Sequence, residues 1–235
     1  MNLKKIINEI MRPQNLLTII CGFIALATGL YAIIVIPPSR DVSSLGVFLF
    51  KLLPFIFGAI TISLFKKEYC AYLIKTKIAI PMFIIAFLIY FGAIVPMVFF
   101  VMSSYGDGAI TFREAFDGVY YLRLMEVPYI ILVMTFVFRI AGGSTSNTLK
   151  LSFSLLAVML SGIEDLAFFV VNGLPIPDEW TWVTHMQVRI GRFPTKYEAY
   201  VFITAHLILA AAIIFAPWEK LKVFKWLSSK INDER

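Results

Sequence analysis

The chain has 235 residues, of which 60% are hydrophobic and only 15% charged, and its net charge is +6. Soluble domains carry about 25% charged residues, so this composition excludes an ordinary soluble fold and indicates a protein embedded in a membrane. The basic residues lie between and beyond apolar runs, without a basic stripe interleaved with aromatic residues, which argues against nucleic-acid binding.

Six apolar runs follow one another along the chain, and each is long enough for a membrane-crossing helix of about 20 residues. The two terminal segments, one before the first run and one after the last, carry apolar and basic residues at helical spacing. This pattern is typical of helices that lie on a membrane surface. Thr111-Phe-Arg-Glu114 fits a capping box that opens a further short helix. The predicted fold class is therefore an all-α, polytopic integral membrane protein. It is a bundle of six transmembrane helices in one domain over 1–235, with amphipathic interfacial helices at both termini. The spans are predicted at 16–36, 45–65, 78–102, 122–139, 151–171 and 200–216, and the interfacial helices at 1–12, 111–121 and 218–231.

The distribution of Lys and Arg predicts the orientation. An even number of spans places both termini on one side, and 14 of the 21 basic residues fall on that side. Because cytoplasmic loops carry the excess of Lys and Arg, both termini are predicted in the cytoplasm of a cell-membrane protein.

The stretch from Ser161 to His206 holds the candidate site, since it contains both histidines of the chain and two carboxylates in an apolar run. A charged side chain at bilayer depth costs roughly 2.5–3.5 kcal/mol on insertion scales, so such residues are functional candidates. Adjacent residues point about 100° apart on a helix. One carboxylate is thus expected to face a cavity while the other pairs with a neighbour, for which Lys51 is the first candidate. These groups suit general acid/base chemistry with a histidine as proton shuttle. The candidate catalytic residues are Glu164, Asp165, His185 and His206, and the candidate substrate-binding residues are Lys51, Glu126, Trp180, Trp182, Arg189 and Arg192.

Each of these residues also has a purely structural interpretation. A buried ion pair of Glu164 with Lys51 would lock helix packing, and His206 alone on an apolar face is typical of a hydrogen-bonded packing residue. Trp180 and Trp182 suit interfacial anchors as well as a binding surface. The two arginines fit either solvated loop charges or a phosphate-headgroup site, because a guanidinium fork matches phosphate geometry.

Metal binding is a second chemical interpretation of the same residues. Two carboxylates and two imidazoles suit Zn²⁺, Mn²⁺ or Fe²⁺. The chain has no HExxH motif or other helical ligand pair. The ligands of such a divalent metal would be Glu164, Asp165, His185 and His206.

Two short motifs resemble known membrane-enzyme families. Glu164-Asp165 followed 38 residues later by Phe202-Ile-Thr-Ala-His206 is similar to the first two motifs of the CAAX-protease/bacteriocin-processing family. That family's acidic motif also carries an arginine, and a later helix supplies a further histidine; neither is present here. Glu164-Asp165 with Phe168-Phe169 resembles the acidic-aromatic motif of integral-membrane lycopene cyclases, without the proline that precedes it there. These resemblances imply acid/base or metal-ligand roles for Glu164 and His206.

Three functions remain open on the sequence. The first is a membrane-embedded enzyme acting on a lipidic or isoprenoid substrate in the outer half of the bilayer. The second is a proton- or cation-coupled transporter or channel for a small solute, and the third is a non-catalytic scaffold or subunit whose charges hold a partner helix or a second copy. Aquaporins, potassium channels, Walker-type ATPases and rhomboid proteases are excluded, because their Asn-Pro-Ala, Gly-Tyr-Gly, Walker and Gly-Xaa-Ser-Gly motifs are absent.

Overall fold

The computed structural model describes residues 13–35, 44–66, 70–72, 108, 110–171 and 173–220. Within these residues the fold is all-helical, with an isolated β-bridge between Glu179 and Thr195. The predicted span over 78–102 and the interfacial helix over 1–12 lie outside the described residues, as does most of the helix predicted over 218–231. The helices are α1 (Pro13–Ile34), α2 (Leu45–Leu64), α3 (Phe112–Ile140), α4 (Thr145–Met159), α5 (Ile163–Val171), α6 (Thr184–Ile190) and α7 (Lys196–Phe215), followed by a 3₁₀ turn, Trp218–Lys220.

Three of these helices are long and apolar enough to cross a membrane, over Asn15–Ala32 in α1, Leu45–Leu64 in α2 and Lys196–Phe215 in α7. Helices α4 and α5 make a fourth candidate if they are taken together as one bent span. Large apolar side chains point outward from these helices, with Phe23 71% and Phe215 83% exposed. Such side chains are stable when they contact lipid, so the fold supports a membrane-embedded protein with three or four candidate spans among the described residues.

Hydroxyl side chains begin most of these helices. The Ser44 and Ser144 side chains accept the Val47 and Asn147 N–H groups at the starts of α2 and α4. Thr111 and Glu114 form the predicted capping box at the start of α3. The helix that it opens is not short, however. The predicted interfacial helix over 111–121 and the predicted span from 122 are one continuous helix of 29 residues, because nothing between them ends the helical hydrogen-bond ladder.

Helices α2 and α4 lie at the centre of the bundle. Helix α1 packs on α2, α2 packs on α3 and α4, and α4 packs on α3 and α7. Phe55, Ala59, Ile131 and Leu156 form the apolar core between α2, α3 and α4. The Thr135 and Ser152 hydroxyls, both fully buried, are 2.8 Å apart and hydrogen bond α3 to α4.

A buried arginine closes one end of the bundle. Arg139, near the end of α3, is 2% exposed. Its Nε donates to the Phe65 carbonyl at 2.8 Å, and its Nη1 donates to the Gly143 carbonyl at 2.6 Å. Phe65 is the C-cap residue of α2. Because the last carbonyls of a helix lack intrahelical donors, Arg139 supplies one and ties α2 to the turn before α4.

Candidate active site

The site is organised by a break in the helix predicted over 151–171. Helix α4 ends at Met159, α5 begins at Ile163, and their axes differ by 52°. Gly162 has φ +78°, a left-handed conformation that favours glycine. The Ser161 hydroxyl donates to the Val158 carbonyl at 2.6 Å and accepts the Ile163 N–H at 3.1 Å. Serine and glycine therefore end one helix and start the next beside the two predicted carboxylates.

Asp165 is the carboxylate that points into the protein. It is 7% exposed, and the Trp182 indole N–H donates to its Oδ1 at 3.0 Å. Its Oδ2 lies 3.6 Å from the position that a Cβ atom on Gly162 would occupy, and the Nε2 of His185 lies 3.7 Å from the same position. A carboxylate oxygen and an imidazole nitrogen thus converge on one face of Gly162.

Glu164 lies on the other side of α5, where its side chain is exposed. The two carboxylates therefore diverge, as helical geometry predicts, and Asp165 is the inner one. The Glu164 side chain is thus directed away from Asp165. Its predicted catalytic role remains a prediction to which this geometry adds nothing.

A half-buried arginine connects the break to α6 and α7. The Arg189 side chain donates from Nε to the His185 carbonyl at 2.8 Å and from Nη2 to the Leu160 carbonyl at 3.1 Å. Its Nη1 lies 2.9 Å from the Nε2 of His206. Burial lowers the pKa of Arg189 to about 10, so the side chain stays protonated at neutral pH. The helix break leaves a carbonyl at Leu160 that this guanidinium satisfies.

The hydrogen bonds of His206 define its protonation state. Its Nδ1 lies 2.9 Å from the Phe202 carbonyl, which can only accept a hydrogen bond, so Nδ1 carries the proton. The Arg189 guanidinium can only donate, so Nε2 of His206 accepts. His206 is therefore a neutral imidazole with both ring nitrogens engaged, and this contact to Arg189 is one that the sequence does not predict.

The loop between α5 and α6 forms a packed cap over the site. Trp180 is fully buried and lies in a core with Val183 and Met186. Its ring stacks on Trp182 at 5.5 Å between centroids, and the Phe169 ring lies 5.4 Å from Trp182. An interfacial anchor would need exposure that Trp180 does not have. Backbone hydrogen bonds from Trp180 to Pro194 (2.9 Å) and from Lys196 to Asp178 (2.9 Å) hold the loop to the start of α7.

The other predicted binding residues are more dispersed. Lys51 is half-buried on α2, one turn after Phe48, whose ring centroid lies 4.9 Å from the Arg189 Cζ. Glu126, on α3, is 4% exposed. Arg192 is exposed and forms an ion pair with Glu198. The structure thus brings Asp165, Trp182, His185, Arg189 and His206 together around the break, whereas Arg192 lies on the surface.

No three His, Cys, Asp or Glu side chains among the described residues lie close enough together to hold a metal ion. For His206, the lone pair that a metal would need is occupied by Arg189 in this arrangement. The geometry therefore gives the metal interpretation no ligand cluster in the part of the chain that the structure describes.

Comparisons with known proteins add no relative: no family model, curated protein or solved structure matches the chain.

Proposed function

We propose that the protein is a membrane-embedded enzyme acting on a lipidic or isoprenoid substrate, with Asp165 and His185 as its acid/base pair. The observation that carries this proposal is their convergence on one face of Gly162 at the break between α4 and α5. A general acid and a general base that act on one substrate must reach neighbouring atoms, and support for this pair is that both groups lie within 3.7 Å of one point, beside the Met186 methyl group.

The surrounding residues support a division of roles. The Trp182 N–H holds one oxygen of Asp165, and the other oxygen lies on the Gly162 side, which the Nε2 of His185 also approaches. His206, with both nitrogens engaged, is better suited to orient Arg189 than to move a proton itself. Arg189 in turn holds the His185 carbonyl and so sets the position of the imidazole on α6.

The proposed setting is a cell membrane crossed six times, with both termini in the cytoplasm and the site in the outer half of the bilayer. Support comes from the 14-to-seven distribution of Lys and Arg and from the three or four candidate spans among the described residues. The lipid bilayer then supplies both the environment and the substrate.

A proton- or cation-coupled transporter is the second candidate, favoured by the bent α4–α5 pair. Membrane transporters commonly bind substrates and ions where spanning helices are broken, because the freed backbone groups line a cavity there. Here the Leu160 carbonyl is already bound by Arg189, and for this reason we place the enzyme first.

The proposal can be tested by analysing the lipids of cells that produce the protein. The wild type is compared by mass spectrometry with an empty vector, Asp165→Asn and His185→Gln, at matched amounts of protein in the membrane. We expect a lipid species to change in the wild type alone, because an amide does not titrate and glutamine lacks the imidazole. Identical extracts from wild type and vector would argue for the transporter.

A further inference from the structure

The guanidinium of Arg189 is a cation whose described partners are all neutral. Its three acceptors are the Leu160 and His185 carbonyls and the Nε2 of neutral His206. Arg192 and Lys196 are paired with the Glu198 and Asp178 carboxylates, whereas no contact described for Arg189 is to a carboxylate. An opposite charge stabilises a partly desolvated charge, so this position favours an anion.

Two donors of Arg189 remain for that anion. A guanidinium has five N–H groups, and the three hydrogen bonds above use one on each nitrogen. One N–H is left on each terminal nitrogen, and the side chain is only half-buried. Paired N–H groups in a planar fork match the oxygens of a phosphate group.

The proposed membrane spans next to Arg189 give the depth expected for this site. Its Cζ lies 4.9 Å from the ring centroid of Phe48 and 4.4 Å from that of Phe202. Phe48 is roughly 5 Å along α2 from Leu45, and Phe202 is roughly 9 Å along α7 from Lys196, at 1.5 Å per residue. The headgroup region of each leaflet is about 5–7 Å thick. With α2 and α7 taken as spans that begin at the outer surface of the headgroups, Arg189 would lie near the boundary between headgroups and acyl chains.

We propose that Arg189 binds the phosphate group of an anionic lipid, with the rings of Phe48 and Phe202 beside it. This inference rests on the proposed function and narrows it: the substrate carries a phosphate that Arg189 holds one helical turn from His185. The apolar rings would contact the glycerol or isoprenoid carbons next to the phosphate.

Arginine-selective modification of the wild-type protein tests this without any variant. The full-length protein in neutral detergent is treated with phenylglyoxal, and modification of Arg189 and Arg192 is followed by peptide mass spectrometry. Separate reactions also contain phosphatidic acid, diacylglycerol with the same acyl chains, or inorganic phosphate. We expect phosphatidic acid to slow modification of Arg189 several-fold while Arg192 is unchanged and diacylglycerol has no effect.

The two phosphate arms distinguish the source of the anion. Protection by phosphatidic acid alone means that the acyl chains contribute, whereas equal protection by inorganic phosphate means that a free phosphate fills the same site. No protection of Arg189 by either, or equal protection of Arg192, would overturn the assignment. Protection by phosphatidic acid and protection by inorganic phosphate are both measured without turnover. Protection of Arg189 without any lipid conversion would therefore uphold this inference and contradict the proposed enzymatic function.

Variants of Arg189 test how much this side chain contributes to the affinity for phosphatidic acid. Arg189→Gln should weaken phosphatidic acid binding about tenfold or more, since a hydrogen bond to a charged group is lost. Arg189→Lys keeps the charge without the fork and should weaken binding less. Lys196→Gln, which removes a partly exposed cation paired with the exposed Asp178, is the matched control and should bind like the wild type. If Arg189→Gln does not fold, the lysine variant and the modification of the wild-type protein still test whether Arg189 binds the lipid phosphate.

Discussion

Asp165 and Glu164 are adjacent in the chain, yet only Asp165 is buried and hydrogen-bonded to the Trp182 indole. The sequence predicts that the two side chains diverge, because helical geometry requires it, but the identity of the inner one depends on which face α4, α6 and the cap cover. That information is non-local. The Arg189–His206 contact, between residues 17 positions apart, could not be predicted for the same reason.

At the residue scale, Trp182→Phe tests the hydrogen bond to Asp165. Phenylalanine preserves much of the aromatic stacking but not the N–H. We expect the free energy of unfolding to fall by about 1.5–3 kcal/mol, as for a hydrogen bond to a charged group. Thermal and chemical unfolding in detergent provide the measurement.

Trp218→Phe is the matched control. The Trp218 indole N–H donates to the neutral Ile213 carbonyl at 3.1 Å, and such a bond contributes about 0.5–1.5 kcal/mol. Equal losses for the two variants would mean that Asp165 is not ionised at this contact.

At the scale of elements, the break between α4 and α5 depends on Gly162. A Cβ atom there would lie 2.1 Å from the Cε of the fully buried Met186. A left-handed conformation costs a non-glycine residue roughly 1–2 kcal/mol. Gly162→Ala should therefore lose more stability than that backbone cost alone and should shift Met186 within the cap core.

Gly173→Ala separates the two costs. Gly173 also has a left-handed φ, +64°, but nothing lies within 4 Å of its Cβ position. Its alanine variant should lose only the backbone cost of about 1–2 kcal/mol. If Gly162→Ala is no less stable than Gly173→Ala in thermal unfolding, the described packing at the break is wrong.

Local sequence signals account for the parts of these elements that could be predicted. The Thr111–Glu114 capping box is confirmed, and the same pattern at Thr195–Glu198 opens α7 four residues before the predicted start. Ser161-Gly162 carried a signal for the break, since this pair can end a helix. The residues on both sides of this pair are apolar, however, and their hydropathy predicts one continuous span over 151–171. Hydropathy is insensitive to a local bend.

At the scale of the whole molecule, the orientation in the membrane is the main untested prediction. Thr181, in the cap, and Asn147, at the start of α4, are exposed, and the native Cys21 and Cys70 are buried. An impermeant thiol reagent added to intact cells should modify Thr181→Cys and spare Asn147→Cys. Opening the cells should make Asn147→Cys reactive as well.

The reverse labelling pattern would place the cap and the break on the cytoplasmic side. The acid/base geometry would survive that result, but the proposed access from the outer leaflet would not. Modification of both probes in intact cells would contradict the proposed topology altogether.

The proposed enzyme requires that Asp165 carries out chemistry on a lipid. Its most direct test uses purified protein in nanodiscs that contain the total lipid extract, because a nanodisc has no second compartment and transport alone cannot alter its lipids. Wild type, Asp165→Asn and Glu164→Gln are incubated side by side, and the lipids are followed by mass spectrometry over time. We expect conversion of a lipid species by the wild type and none by Asp165→Asn, and Glu164→Gln decides whether the exposed Glu164 also has the catalytic role that the sequence predicts. Conversion that persists in Asp165→Asn would contradict the proposed role of Asp165.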